Sequence, residues 1–322
     1  MKKYFIALIS VFFLISAFAQ KKKITSEELK PSDLSGLEFR SVGPAFMSGR
    51  IADIAINPEN ENEWYVAVGS GGVWKTVNSG TTWKPIADNE SFYSTGCITI
   101  DPHNTSKVWL GTGENVGGRH VGIGHGVYVS ENGGKSWKSM GLKSSEHISK
   151  IIVSPKDPNI VFVASQGPLW SSGGDRGLFK TNDGGKTWKN VLSVNEWTGV
   201  TDIVIDQLNP DILYAATWQR HRNVASYMGG GPGTSIYKST DHGKNWIEIK
   251  DGLPNSNLGK IGLAISPFDS TILYAAVETD RRNGAVYKTT NSGGNWIKMS
   301  DTVSGATGPV SYTHLTLPTK QP

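Results

Sequence analysis

The chain has 322 residues, 32 Lys and Arg against 28 Asp and Glu, a formal net charge of +4, 38 glycines, 11 tryptophans and one cysteine. A single cysteine excludes an internal disulfide framework, and the absence of any basic stripe beyond Lys21 to Lys23 excludes a nucleic-acid footprint. Abundant glycine and tryptophan with little helical periodicity predict an all-β class.

In chain order, Lys2 and Lys3, the apolar run Tyr4 to Ile15, and Ala17-Phe18-Ala19 read as a signal peptide over residues 1–19. The apolar run is too short for a bilayer span. The expectation is therefore a secreted, periplasmic or cell-surface protein with no transmembrane anchor after cleavage. Residues 20–42 read as a linker, with Leu37 to Val42 available as a closing strand. At the other end, Val310 to Thr319 breaks the pattern of the preceding chain and looks like a translated sequencing adapter. Residues 310–322 are thus expected to be a non-native tail, and the chain a fragment with further domains to follow. Setting aside Lys2, Lys3 and Lys320 leaves a charge of about +1.

Between these ends, residues 43–309 repeat one grammar. An apolar strand (Ile51 to Ile56, Cys97 to Ile100, Ile151 to Val153, Ile203 to Ile205, Ile261 to Ile265) is followed by a Pro/Asn/Asp turn and a second strand. These second strands are Trp64 to Val68, Val108 to Gly111, Ile160 to Ala164, Ile212 to Ala216 and Ile272 to Val277. A third strand (Gly72 to Thr76, Gly126 to Ser130, Gly177 to Thr181, Ser235 to Ser239, Ala285 to Thr289) then runs into an eight-residue phrase ending in tryptophan. The phrase occurs five times, closing at Trp83, Trp137, Trp188, Trp246 and Trp296. Its Asn78, Asn132, Asp183, Asp241 or Asn291 can accept backbone N–H bonds, and glycine supplies positive φ, so turn chemistry explains it without a ligand. Cys97 lies in a strand-like run and reads as a buried structural thiol. A period near fifty with four short strands predicts a β-propeller of four-stranded antiparallel blades, about five of them present and the ring incomplete.

The phrase Ser/Thr-x-Asp/Asn-x-Gly-x-Thr/Ser/Asn-Trp resembles the Asp-box, the bacterial neuraminidase repeat. Gly43 to Ile51 and Gly111-Thr112-Gly113-Glu114-Asn115 resemble an exported bacterial group described as sortilin-N-terminal-like or glycosyl-hydrolase-like. Asp-box propellers include sialidases and xyloglucanases. The sialidase signature is absent at Phe39-Arg40-Ser41-Val42. In xyloglucanases the resemblance implies a catalytic Asp just before a Gly-Gly-aromatic element, and alignment through Gly71-Gly72-Val73-Trp74 places Gly69 there.

Strand alternation puts the boxes on one face and the second-to-third strand and inter-blade connections on the other. Loops of the second kind carry function more often. Their inventory gives Arg50, Glu114, Arg119, His125, Trp170, Trp218, Arg220 and Arg222 as ligand-binding candidates. Glu114, Glu278 and Asp280 are catalytic candidates, because glycoside hydrolysis needs two carboxyls. Asp175 and Arg176 read as a pair tying loops together, and Trp170 and Trp218 read equally as caps of the central channel. His120 and His125 with Glu114 make too weak a set for zinc, so no metal and no cofactor is expected. The leading expectation is an exported binding module for a glycan or a protein or peptide ligand. The alternatives are a glycoside hydrolase with acids on that face, and a structural or assembly scaffold.

Overall fold

The computed structural model describes residues 50–118, 121–280 and 283–303. The signal peptide, the closing strand at Leu37 to Val42, the adapter-like tail, and the side chains of Arg119, His120, Arg281 and Arg282 lie outside the described residues.

Sheet 1 is formed by β1 (Ile51–Ile56), β2 (Trp64–Val68), β3 (Gly72–Thr76) and β4 (Lys84–Pro85). Sheet 2 contains β5 (Thr95–Asp101), β6 (Asn104–Thr112), β7 (Val127–Ser130) and β8 (Lys138–Gly141). Sheet 3 contains β9 (Ile148–Val153), β10 (Val161–Gln166), β11 (Arg176–Thr181) and β12 (Lys189–Leu192). Sheet 4 comprises β13 (Thr198–Ile205), β14 (Leu213–Gln219), β17 (Ile236–Ser239) and β18 (Ile247–Glu248), interrupted by a two-stranded hairpin of β15 (His221–Arg222) and β16 (Tyr227–Met228). Sheet 5 comprises β19 (Ile261–Ile265), β20 (Leu273–Asp280), β21 (Asn283–Thr289) and β22 (Ile297–Val303). All pairings are antiparallel.

The all-β class and the four-stranded unit are present, but the expected β-propeller is corrected. Each sheet packs on the next, β1 on β5, β5 on β9, β9 on β13 and β13 on β19. Among the described residues neither strand pairing nor packing of the extent that joins successive sheets brings the fifth sheet back to the first, so the row does not close into a propeller. The physical reason is simple. A repeat period reports the unit that buries its face against a neighbour, and says nothing of whether the last unit meets the first.

Four hydrophobic clusters hold the row together, each filling the gap between successive sheets. One packs Tyr65, Ala67 and Val73 of sheet 1 against Ile98, Val108 and Leu110 of sheet 2. Another packs Tyr214 and Ala216 of sheet 4 against Leu273, Ala275 and Tyr287 of sheet 5. Strand alternation delivers one side chain in two to each gap.

The inner strands of sheets 2, 3 and 4 begin earlier than their apolar runs, at Thr95, Ile148 and Thr198. Their first residues include Gly96, Ser149, Lys150, Thr201 and Asp202, small or polar groups that hydrophobic periodicity does not register. β-Bulges between Thr95 and Cys97 and between Val200 and Asp202 carry the pairing across them. Asp53 and Asp202 then latch neighbouring inner strands: Asp53 Oδ2 accepts the Ile98 amide at 3.0 Å and Asp202 Oδ2 the Leu263 amide at 2.8 Å.

The five tryptophan-ending turns are built alike. The opening hydroxyl of Thr76, Ser130, Thr181, Ser239 or Thr289 donates to the Asn or Asp two residues on, at 2.7–2.9 Å. That side chain's Oδ1 accepts the backbone amide of Thr82, Ser136, Thr187, Asn245 or Asn295. Gly134 and Gly185 adopt φ of 87° and 89°, the left-handed region that closes such a turn. Bonds to hydroxyl and amide donors hold the Asp183 carboxyl below the usual carboxylate range.

These turns also join the sheets. Trp137 Nε1 donates to Ile86 O at 3.4 Å, Trp188 Nε1 to Met140 O at 2.7 Å and Trp296 Nε1 to Ile249 O at 3.1 Å, each reaching the preceding sheet. Trp246 sits in the equivalent place with its Nε1 buried and unpaired, and Trp83 instead meets Trp64 edge-on at 6.4 Å. In the other direction, Lys75, Lys180 and Lys238 donate to carbonyls of the next sheet's turn, at Gly133, His242 and Ser292. The repeated phrase is a fastening between neighbours.

Candidate functional site

On the face opposite those turns, the loop after β6 leaves sheet 2 and touches every other sheet. Glu114 opens it. Arg50, just before β1, forms an ion pair with its carboxylate, with Arg50 Nε donating to Oε1 at 2.9 Å. The Gly122 amide donates to Oε2 at 2.6 Å. The Glu114 side chain is 2% exposed and Arg50 32%, so the arginine forms the solvent side of the pair. His147 Nδ1 donates to the Glu114 carbonyl at 3.1 Å. Burial, reinforced by nearby Arg220, pushes this imidazole well below its ordinary pKa, so it is the neutral ring that serves.

Asn115, the next residue, is the hub. Its Nδ2 donates to Ser149 O at 3.3 Å, and its Oδ1 accepts from Gln166 Nε2 and from Lys260 Nζ at 2.9 Å. Lys260 Nζ also donates to Asn115 O at 2.6 Å. Enclosure among these groups, with Arg220 nearby, pushes the Lys260 ammonium down to about 8. The Lys260 amide donates at 3.2 Å to Glu278 Oε2. Burial raises the Glu278 carboxyl above the usual range. One lysine therefore links the loop that carries Glu114 to Glu278.

Farther along, Arg220 Nη1 donates to Val116 O at 3.2 Å, and its guanidinium lies 5.1 Å from the Trp218 ring centre. Arg220 is wholly buried and Trp218 is 2% exposed, with the indole N–H donated to Gly229 O at 2.9 Å. Both were candidate ligand contacts; the structure buries them beneath their own chain. A Cβ on Gly117 would lie 2.5 Å from the Tyr227 hydroxyl, so the loop crosses here in close contact with that ring.

The other candidates disperse. Arg222 is half-buried, 4.5 Å over the Tyr227 ring. Trp170 is 51% exposed, and His125 is exposed with its amide donated to Thr112 Oγ1. Arg176 gives its guanidinium to five carbonyls, including Gln166 O at 2.7 Å, and Asp175 accepts the Ser144 amide; each ties loops, though not to the other. Asp280 closes β20, its side chain outside the described residues. Among the described residues no three His, Cys, Asp or Glu converge as a metal site.

Sequence reasoning missed Asn115 as hub, Gln166 as its partner, and Lys260 altogether. A lysine entering an apolar inner strand at Gly259-Lys260-Ile261 was the available signal. One further juxtaposition matters. A Cβ placed on Gly69 would lie 2.5 Å from Glu114 Oε1, and its three nearest neighbours would all be atoms of the Glu114 side chain. The carboxylate from sheet 2 fills the space where a side chain at position 69 would stand.

No family model matches the chain. It is 26% identical over 228 residues to the xyloglucanase Xgh74A of Acetivibrio thermocellus, covering 61% of this chain and 25% of that protein. It is 21% identical over 231 residues to an oligoxyloglucan-reducing end-specific xyloglucanase of Emericella nidulans, covering 61% of this chain and 26% of that one. The chain thus spans about a quarter of the length of the curated relatives it matches. Among solved structures, an ancestral GH74 enzyme superposes with a TM-score of 0.61 at 24% identity, over 78% of this chain and 31% of that one. The GH74 enzyme of Niastella koreensis superposes with a TM-score of 0.59 at 18% identity, over 77% of this chain and 38% of that one.

The fold is GH74-like. These likenesses correct the assignment to the Asp-box, neuraminidase-repeat and sortilin-like group, and with it the picture of a stand-alone binding module or scaffold. The eight-residue phrase misled because it encodes a hairpin turn and a fastening between sheets, and such local chemistry recurs wherever the same turn is needed.

Proposed function

We propose that the chain forms part of a glycoside hydrolase that acts on a β-glucan polysaccharide of the xyloglucan type, with Glu114 and Glu278 as its carboxyl groups. The observation that carries this reading is the likeness to xyloglucanases over 228 residues, joined to a Glu114 carboxylate standing beside Gly69. Position 69 is where the xyloglucanase motif would have an acid.

Two carboxyls in contrasting environments are what glycoside hydrolysis requires. Every partner of the Glu114 carboxylate is a donor, either Arg50 or the Gly122 amide, which suits a charged group that takes a proton from attacking water. Glu278, raised by burial, is suited to stay protonated and give its proton to the leaving glycosidic oxygen. The signal-like residues Lys2 to Ala19 fit export to a polysaccharide outside the cell.

Reducing-end release from xyloglucan by the full chain tests the reading. Glu114→Gln is expected to lower kcat by about a hundredfold or more. Glu278→Gln should remove the alkaline limb of the pH profile, since a raised carboxyl works below its folded pKa and fails as pH rises through it. Wild-type rates in Glu114→Gln would defeat the assignment.

A further inference from the structure

The five inner strands converge on a cavity of about 250 Å³ on the inner side of the Asn115 hub. Every inner strand contributes to its wall, and so does Asn115. Its charged lining is two carboxylates, Asp53 and Asp202, and two ammonium groups, Lys150 and Lys260.

The valences left over define what could sit there. Asp53 accepts the Ile54 and Ile98 amides, one on each oxygen, and Asp202 accepts the Ile203 and Leu263 amides likewise. Each carboxylate oxygen retains a second lone pair. Lys260 donates two of its ammonium N–H groups to Asn115, leaving one. Lys150 has no hydrogen-bond or ion-pair partner among the described residues and keeps three donors. Thr201 accepts from Gln166 Nε2 at 3.3 Å and still has its hydroxyl proton to give.

Donors and acceptors therefore alternate around one small space. An anion would meet two carboxylates, and a cation would meet two ammonium groups. A ligand whose every polar atom both donates and accepts, a hydroxyl-bearing one, satisfies all of them. The volume lies below the roughly 300 Å³ at which pockets for drug-sized ligands begin, which suits one sugar ring and not an oligosaccharide.

We propose that this central cavity binds one neutral monosaccharide, with Lys150 donating to ring hydroxyls and Asp53 and Asp202 accepting from them. This rests on the cavity lining and not on the hydrolase reading, and failure of either leaves the other standing.

The test is calorimetric titration of the full chain with D-glucose, D-xylose and D-galactose, and separately with acetate. Gly262 supplies the sharpest variant. A Cβ there would meet nothing within 4 Å except Asp202 Oδ2 at 3.9 Å, so Gly262→Val fills the space without displacing backbone. At least one sugar should saturate the protein, Lys150→Met should weaken it about tenfold, and Gly262→Val should abolish it. A matching thermal melt checks that each variant is folded, and Lys150→Met carries the test if Gly262→Val is not. The proposal is overturned if no sugar saturates, if acetate binds in preference, or if sugar binding survives unchanged in the folded variants.

Discussion

Lys260 offers the most quantitative check on the hub. Its ammonium is pushed down to about 8 from an ordinary value of 10.5, chiefly by burial and then by Arg220. A lowered base destabilises the native state while it must carry its proton. Below pH 8 both folded and unfolded chains are protonated, and the native state bears the full cost. Between about 8 and 10.5 the unfolded chain holds a proton that the native state has released, so stability rises with pH across that window. One pH unit of such imbalance is worth about 1.4 kcal/mol. From pH 8 to pH 10 the expected gain is therefore on the order of 2 kcal/mol, because titration near each end is partial. Urea unfolding of the wild type and Lys260→Met at pH 7, 8, 9 and 10 isolates the effect, since the raised tyrosines Tyr65 and Tyr214 contribute equally to both proteins. The wild type should gain on the variant as pH rises. Parallel stability curves, or a wild type that loses ground, would refute the placement of Lys260 against Asn115.

Two further outcomes follow from the fastenings and a third from the buried thiol. Trp188→Phe removes the 2.7 Å bond to Met140 O and should cost about 1 kcal/mol more in urea unfolding than Trp246→Phe, whose indole N–H has no acceptor to lose. Asp183→Ala should lower Tm without altering hydrolysis. The wild-type advantage should be present above the unfolded carboxyl pKa and be lost as acid titration protonates Asp183, because its folded pKa is depressed. Cys97 is 1% exposed with burial pushing its thiol up, so a thiol reagent should leave it unmodified in native protein and modify it in denaturant.

The four-stranded unit was legible because alternation, turn residues and a fixed period are local properties of the chain. The overall architecture and the family were not, because both depend on how distant segments pack and not on any local pattern. In the candidate site, Arg50 and Glu114 were each singled out, yet their pairing spans 64 residues and no spacing rule could join them. Trp218 and Arg220 illustrate the opposite error. Aromatic and guanidinium groups on loops suggest ligand contact, but the loop from sheet 2 takes an Arg220 N–H at Val116 O and the loop after β16 takes the Trp218 indole N–H at Gly229 O. The β15–β16 hairpin, two residues to a strand, was too short for alternation to reveal. Lys260 escaped because a single lysine beside an apolar run reads as a strand end.

The most direct test of the hydrolase account moves the carboxylate. Glu114→Gly empties the space beside Gly69, and adding Gly69→Asp refills it from sheet 1, where the nearest atoms a Cβ would meet all belong to Glu114. Xyloglucan hydrolysis by the full chain should be lost in Glu114→Gly and recovered in measurable part in the double variant. Equal rates in wild type and Glu114→Gly, or no hydrolysis by the wild type, would contradict the account.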